Sequence, residues 1–590
     1  MQSKWMMKNI RIDYGALSRA LNLPEEIARC LVNRCPGTLE EMKAYLHPSL
    51  SDLHDPGLMK DMDKAVDLIL TALEEEKRIR LVGDFDIDGS MSIYIAMSAL
   101  REVDALVDYE IPDRVKDGYG INKDMVEKAK EEGIDLLITF DNGISAFEAV
   151  QHAKDLGMDI IVTDHHDIPY VMEGEKKRQV LPPADAVVNP KQEGCPYPYK
   201  GLCGAVVAFK LITKLYEVMG MDEDVIERYL PYAAIATVGD IMDLTGENRI
   251  IVKHGLSLLK NIQNEGLLAL AEAADLSLKE VSTYSIGFVL GPCFNAAGRL
   301  ATARKSVELL FSEGEEAKRL ATELYQLNQK RKAMTEEGIV LAEDMIRTHG
   351  YQEDHVMVLH LEDVHESLAG IIAGRVKERY YRPAIVLTTT ENGLKGSARS
   401  IEEYNIFEGL SSVKDHLKKF GGHPMAAGLT IEEEHLNSLR ESLNRNSELS
   451  EEDLLPKVRI DARLSPGKIT ESFVRALDAL EPFGKENPKP VFAEKGLTIS
   501  QMYFLGQNKD HLKFLFQSEN SLVEGIYFYG VKKLEDYYRE VHGMEPERLD
   551  LLLKDKKVDL LFYPDLNTYN GITRVQMKIL DLRISQVFSK

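Results

Sequence analysis

Between residues 78 and 188 the apolar positions fall into short runs separated by stretches of a different period. The runs "RIRLV" (78–82), "LVDYEI" (106–111), "IDLLITF" (134–140), "MDIIVT" (158–163) and "ADAVV" (184–188) recur roughly every 25 residues and have the length and β-branched content of buried strands. Between them the period changes to that of amphipathic helices, as in "INKDMVEKAKEEG" and "SAFEAVQHAKDLG", each closed by a glycine of the kind that ends a helix. Strand and helix in alternation predict a parallel sheet with right-handed crossovers. A helical N-terminal segment (1–55) precedes this α/β unit (56–310), and one long, highly charged helix follows as a connector (311–350). A second, smaller α/β unit (351–450) carries the strands "HVMVLHL" and "PAIVLTT" and two glycine-rich polar segments, "GSARS" (396–400) and "GGHPMAAG" (421–428). From 455 to 590 the texture is β-rich with one helical interruption, which suits a small barrel of the OB type.

In open parallel sheets the ligand site lies at the carboxyl ends of the strands, and here three strands end in residues of metal-ligand type. The first runs into "GDFDIDG", with Asp84, Asp86 and Asp88 at alternate positions, the third into "DNGIS" from Asp141, and the fourth into "DHHD" with His165 and His166 after Asp164. Carboxylates so crowded repel one another unless a cation sits between them. An EF-hand loop is excluded, because twelve positions from Asp84 stands Ile95 instead of a bidentate Glu, and a strand precedes the loop instead of a helix. A further acid, Asp240, emerges from the apolar helical stretch "YLPYAAIATVGDIMDL".

Net charge and cysteines narrow the class. At −24 the chain lacks the broad basic face of a protein that coats nucleic acid nonspecifically, although a local basic groove remains compatible. Five cysteines without a C-x-x-C pair indicate neither a zinc ribbon nor a disulfide framework. No window approaches a membrane span and no secretory leader is recognisable, so the expected location is the cytoplasm.

The series "GDFDIDG", "DNGIS", "TDHH", "ATVGDIMDLTGENRI", "GPCFNAAGR", "GSARS" and "GGHPMAAG", in this order, closely resembles the motifs of the DHH/DHHA1 phosphoesterase superfamily, and among them the RecJ-type single-stranded-DNA-specific exonucleases. "EPFGKENPKPVF" and the barrel after it are similar to the OB domain of that type. The resemblance implies an α/β fold in which a parallel-sheet DHH domain is joined by the long helix to a DHHA1 domain and then to an OB-fold barrel. It implies a metal-dependent 5′-to-3′ exonuclease acting on single-stranded DNA in repair and recombination. Two divalent ions would be bound, typically Mn2+ with Mg2+ as the alternative, by Asp86, Asp88, Asp141, His165 and Asp240. Asp84 and His166 would stand in catalytic positions. Arg114, Arg299, Ser397, Arg399 and His423 would contact DNA and its 5′ phosphate. The guanidinium forks of these arginines match phosphate oxygens, and the glycines around Arg299, Ser397 and Arg399 let a backbone approach closely. A monomer is expected, with single-stranded DNA, a helicase and a single-strand-binding protein as partners.

Overall fold

The computed structural model describes residues 3–585 apart from 115, 175, 222–226, 519–520, 543–548, 550–552, 554–555 and 570. Five parallel strands build the first sheet in the order Leu106–Glu110, Arg78–Val82, Leu136–Phe140, Asp159–Thr163, Ala186–Val188. The central strand Leu136–Phe140 is buried along its whole length, and successive residues feed opposite faces. Leu81, Ile138 and Ile161 pack towards the helices Ile87–Glu102 and Gly204–Met219. Val82, Leu137 and Val162 pack on the other side, towards Lys123–Glu131 and Phe147–Asp155. The order reverses at Arg78–Val82, whose successor lies on one side and whose next-but-one strand lies on the other. Such a switch opens a crevice at the carboxyl edge, and it is flanked here by the loops that begin at Gly83 and Asp141.

The connector is one α-helix of 36 residues, Gly314–His349. Its first turns bury Ala317, Leu320 and Leu324 in the core of the first domain, and its last bury Ala342 and Ile346 in the second. The second sheet runs Lys419–His423, Ala426–Ile431, Gly393–Arg399, Ala384–Thr390, Met357–His360. Three of these strands contain the two glycine-rich polar segments. Glycine lowers strand propensity, but Ser397, Gly428 and Gly421 sit opposite one another across three strands, held by the ladder while their neighbours Ala398, Ala427 and Leu429 pack into the core.

The third unit closes as a barrel. Phe492–Leu505, His511–Ser518, Ser521–Tyr527, Ile572–Ile584 and Lys557–Tyr569 follow one another, and Phe492–Leu505 pairs back onto Lys557–Tyr569. The N-terminal segment differs from the helical expectation: Lys4–Met7 is a strand, paired in parallel with Lys457–Ile460, ahead of three helices. Ile27, Leu31 and Leu46 from those helices share a hydrophobic cluster with Leu464, Phe473 and Phe492. The start of the chain therefore belongs with the barrel, an arrangement that local periodicity cannot reveal.

Arg249 ties this unit to the first domain. Its buried guanidinium stacks 3.8 Å from the Tyr45 ring centroid and donates to the carbonyls of Tyr45, Ala479 and Leu480. Removing it takes the side-chain donor from the carbonyls of Tyr45 and Ala479, while that of Leu480 keeps the Asn487 amide. Arg249→Ala is expected to loosen the barrel, read as faster proteolytic cleavage around residues 478–490 while the first domain stays resistant; unchanged cleavage would show that the guanidinium is not the tie.

Candidate active site

The alternating aspartates occupy three different local roles. Asp84 follows the strand Arg78–Val82, directly after Gly83. Asp86 caps the helix Ile87–Glu102, its Oδ1 accepting from the amides of Asp88 (2.9 Å) and Gly89 (3.1 Å). Asp88 lies in the first turn, where the amide dipoles favour a carboxylate. Gly89 is required because a Cβ there would collide with the Asp84 backbone. The Asp88 carboxylate is gripped again from the opposite side by the amides of Gly204 (2.6 Å) and Ala205 (2.7 Å), at the start of the helix Gly204–Met219.

The other ligand-type side chains converge on this loop. Asp141 adopts a left-handed backbone conformation (φ 62°) that turns it back over the strand end, and a Cβ on Gly204 would lie 2.5 Å from that of Asp141. His165 Nε2 lies 3.0 Å from Asp141 Oδ1, without hydrogen-bond geometry, and 3.7 Å from both Asp88 Oδ2 and Asp240 Oδ2. Asp240 caps the C-terminus of the helix Leu230–Gly239. Three overlapping groups could each hold an ion, with ligand atoms within 4.8 Å of one another: Asp88, His165 and Asp240; Asp84, Asp86 and Asp141; Asp141, His165 and His166.

Electrostatics supports a cation at this place. Burial first, and then the neighbouring carboxylates, push Asp84, Asp141 and Asp240 well above the usual carboxyl range. Burial also raises Asp88, against the pull of His165, and lowers His165. Oδ1 of both Asp84 and Asp141 is buried with no hydrogen-bond partner. Orphaned acceptors aimed at a common point, drawn from carboxylates and an imidazole, fit a divalent metal of the manganese kind.

His166 stands beside this cluster, 3.8 Å from Asp141 Oδ1. Burial lowers its basicity, but a 2.8 Å hydrogen bond to Asp164 more than offsets this and the imidazole is pushed up to about 9. Asp164, itself depressed despite burial, also accepts from the amides of His165, His166 and Ile144. The Tyr119 hydroxyl donates to the Asp141 carbonyl (2.8 Å) and lies 3.2 Å from His166 Nδ1.

Beside the carboxylates, Arg114 and Arg299 of the first domain meet Arg399 of the second at the interdomain cleft. Arg114 lies over the Phe85 ring, 4.6 Å from its centroid. Arg299 Nη1 donates to the Ser367 carbonyl (2.6 Å) in the second domain, and Arg399 Nη2 would lie 2.8 Å from a Cβ on Gly370. Burial, followed by repulsion from Arg114 and Arg331, lowers Arg299 to about 10; burial and Arg114 lower Arg399. Among the described residues none of Arg114, Arg299 and Arg399 has a carboxylate within ion-pair distance. Ser397 and Arg114 line a cavity of about 100 Å³ with Glu366, Ser367, Lys395 and Gly396. His423, exposed at the edge of the second sheet, instead reaches the first domain 3.7 Å from Asp167, the residue after His166.

Asp164, Tyr119 and the Gly204–Ala205 amides build this site without having been singled out among the candidate residues. Asp164 carried a signal, standing at a strand end beside two histidines. The Gly204–Ala205 amides carried none, since any helix start looks alike until it meets Asp88.

A doubly wound sheet with acids and imidazoles at its switch point, faced by a second domain and with arginines of both domains at the cleft, defines a DHH-type phosphoesterase. Models of three families match in order: the DHH family N-terminal domain over 78–237, the DHHA1 domain over 353–448 and the RecJ OB domain over 460–581. The chain belongs to the RecJ family of single-stranded-DNA-specific exonucleases. It is 35% identical to RecJ of Bacillus subtilis over 97% of its own length and 69% of the relative's, and 35% identical to RecJ of Escherichia coli over 89% and 93%. Manganese-bound RecJ of Thermus thermophilus superposes with a TM-score of 0.80 at 28% identity, covering 99% of this chain and 80% of that one. A magnesium-bound form of the same protein superposes at 0.75. No helix among the described residues is long and apolar enough to cross a membrane.

Proposed function

We propose that this protein is a metal-dependent exonuclease that removes nucleotides from the 5′ end of single-stranded DNA, with two Mn2+ ions, or Mg2+ in their place, as its cofactor. The observation that carries this reading is the pairing, across one cleft, of a carboxylate–imidazole cluster with arginines that lack carboxylate partners. Asp88, His165 and Asp240 would hold one ion, Asp84 and Asp86 the other, and Asp141 both. When bound, such a pair of ions activates water and stabilises the charge of an in-line phosphoryl displacement.

The chain's own residues do the rest. The Gly204 and Ala205 amides and the Asp86 cap fix the carboxylates, so the site is organised before substrate arrives. His166, kept protonated by Asp164, presents a charged donor to a non-bridging phosphate oxygen. Arg114, Ser397 and Arg399 grip the terminal phosphate at the far wall, which fixes the direction of digestion by placing the end a set distance from the metal ligands. His423 lines the mouth and touches the strand as it passes. The small cavity lined by Arg114, Lys395 and Ser397 would take the terminal phosphate. A helicase and a single-strand-binding protein would deliver the substrate in repair and recombination.

Purified protein with Mn2+ should release mononucleotides from 5′-phosphorylated single strands and leave blunt duplex intact; a folded, metal-loaded protein that leaves single strands undigested would overturn the reading. Arg399→Ala is expected to erase most of the preference for 5′-phosphate over 5′-hydroxyl ends, about ten-fold or more for a charge-assisted contact, measured as a ratio of kcat/KM values. A preference as strong as that of the parent protein would remove Arg399 from the end pocket.

The barrel supplies a second contact with the strand. Strand alternation alone puts Tyr527 and Tyr529 on one face, but the strand ends at Tyr527, and Tyr529 turns into a left-handed conformation. Tyr527 and Phe514 are core, whereas Tyr503, Phe504, Phe528 and Tyr529 are exposed. Phe528 and Tyr529 both pack edge-on against His511. These exposed rings are of the kind on which bases stack.

A further inference from the structure

The helical run from Thr283 to Leu300 lies along the active centre and is pinned at three points. At its start the Thr283 hydroxyl donates to the Phe483 carbonyl in the hinge leading to the barrel (2.6 Å). Further along, Asn295 accepts from the Ile87 amide between Asp86 and Asp88 (2.9 Å), and at its end Arg299 reaches the second domain. At about 1.5 Å per residue the run spans roughly 26 Å. It connects the barrel hinge, the carboxylate loop and the arginine wall in that order.

Its first turns carry a feature that the metal and phosphate contacts leave unused. Tyr284 and Phe288 stack on each other at 4.8 Å and 24° in full view of solvent, 67% and 62% exposed. Residues Ile286–Leu290 between and beyond them form a π-turn, a local rewinding that recurs at functional sites. The turn packs on the helix that ends at Asp240, with Gly287 against Val238. Ile241, the residue after Asp240, is 68% exposed and held at φ 56°, a costly conformation for a β-branched side chain. Its amide donates to the Val238 carbonyl, and the next amide to that of Thr237, so an apolar group is fixed outward beside a proposed metal ligand. Lys485 of the hinge pairs with Asp243 at 3.0 Å, and its carbonyl accepts from the Leu244 amide. Ile241, the two stacked rings and one cation thus lie around the rim between the carboxylates and the barrel hinge.

We propose that Tyr284 and Phe288 form a base-stacking platform for the substrate strand, occupied by a nucleotide on the 3′ side of the scissile phosphate. The inference rests on the exonuclease reading and adds where the unpaired bases go. Continuity with the site selects the occupant: the arginine wall takes the chain end at one end of the helical run, so the rest of the strand must leave past the other. Stacked rings offer a flat face that any unpaired base can cover, and Lys485 stands at the same rim in its pair with Asp243.

The test uses full-length protein and a 5′-phosphorylated oligonucleotide of about twelve nucleotides with 2-aminopurine at successive positions, bound in EDTA so that no hydrolysis is needed. The parent protein should quench the fluorescence at one or two internal positions, and Tyr284→Ala/Phe288→Ala should lose that quenching. With Mn2+ the same variant should raise KM for the oligonucleotide about ten-fold with little change in kcat, and Tyr284→Trp/Phe288→Trp should restore both signals. An unaltered quenching profile and KM in a double-alanine variant of unchanged melting temperature would overturn the platform and leave the patch to a protein partner. If the parent protein does not digest single strands, the exonuclease reading fails, while the quenching comparison still decides whether the rings hold a base.

Discussion

Asp141→Asn is expected to abolish hydrolysis while raising the melting temperature of the metal-free protein. Both effects follow from one geometry. Burial and the carboxylates of Asp88, Asp86 and Asp84 push Asp141 well above the ordinary range, and its Oδ1 has no donor. A carboxyl raised in the folded state costs nothing below its unfolded value of about 3.9 and destabilises progressively as pH rises above it. Asparagine removes that penalty, and it tolerates the left-handed backbone at this position better than most residues. The same change removes the acid proposed to serve both ions, so activity should fall by at least about 10³-fold, in line with the loss of a central electrostatic contact. Thermal unfolding in EDTA at pH 8, repeated with Mn2+, separates the two effects: the parent protein gains stability from the metal and the variant gains much less. Near-parental hydrolysis by the variant would sink the bridging role.

The second large effect is expected at a residue outside the proposed metal ligands. Asp164→Asn keeps the shape of the loop but loses the charge that holds His166 protonated and orients its imidazole. A group that positions ligands in this way is typically worth about 10- to 100-fold in activity. The pH dependence gives a sharper reading. The folded-state pKa of His166 is raised to about 9, so its contribution to stability is complete below about 6.5, the usual histidine value, and is lost as pH rises through 9. Asp164, whose folded pKa is depressed, contributes above its unfolded value and loses that contribution as pH falls. This single pair should therefore produce a decline in stability between about pH 6.5 and 9 that is absent from Asp164→Asn. Parallel declines in the two proteins would assign the raised basicity of His166 to another partner.

Both expectations concern residues at strand ends, which is where the sequence was most legible. Alternation of apolar runs and amphipathic stretches dictates a parallel sheet, because strands buried on both faces must be apolar throughout and crossover helices must be amphipathic. That sheet gathers Asp84, Asp86, Asp88, Asp141, His165 and His166 at one edge by topology alone, before any side chain is placed. Apart from the family resemblance, the segment around Asp240 shows only an acid at a helix end. The packing of Leu230–Gly239 against Ile87 across Gly239 is what delivers it to within 3.7 Å of His165.

What the sequence determined by itself was local: strand and helix periods, the D-x-D-x-D-G turn that forces a glycine under Asp84, and a set of acids too crowded to exist without a counter-charge. Tertiary structure decided the relations between segments distant in the chain, because those depend on contacts that carry no periodic signal. It assigned the N-terminal helices to the barrel, made strands of the glycine-rich segments, and set the amides of Gly204 and Ala205 on Asp88. It also buried Tyr527 while turning Phe528 and Tyr529 outward. The arginines show the division most plainly. Arg114, Arg299 and Arg399 stand in separate segments, and only the closing of the second domain over the sheet edge brings them together beside the acids of the site without an ion pair of their own among the described residues.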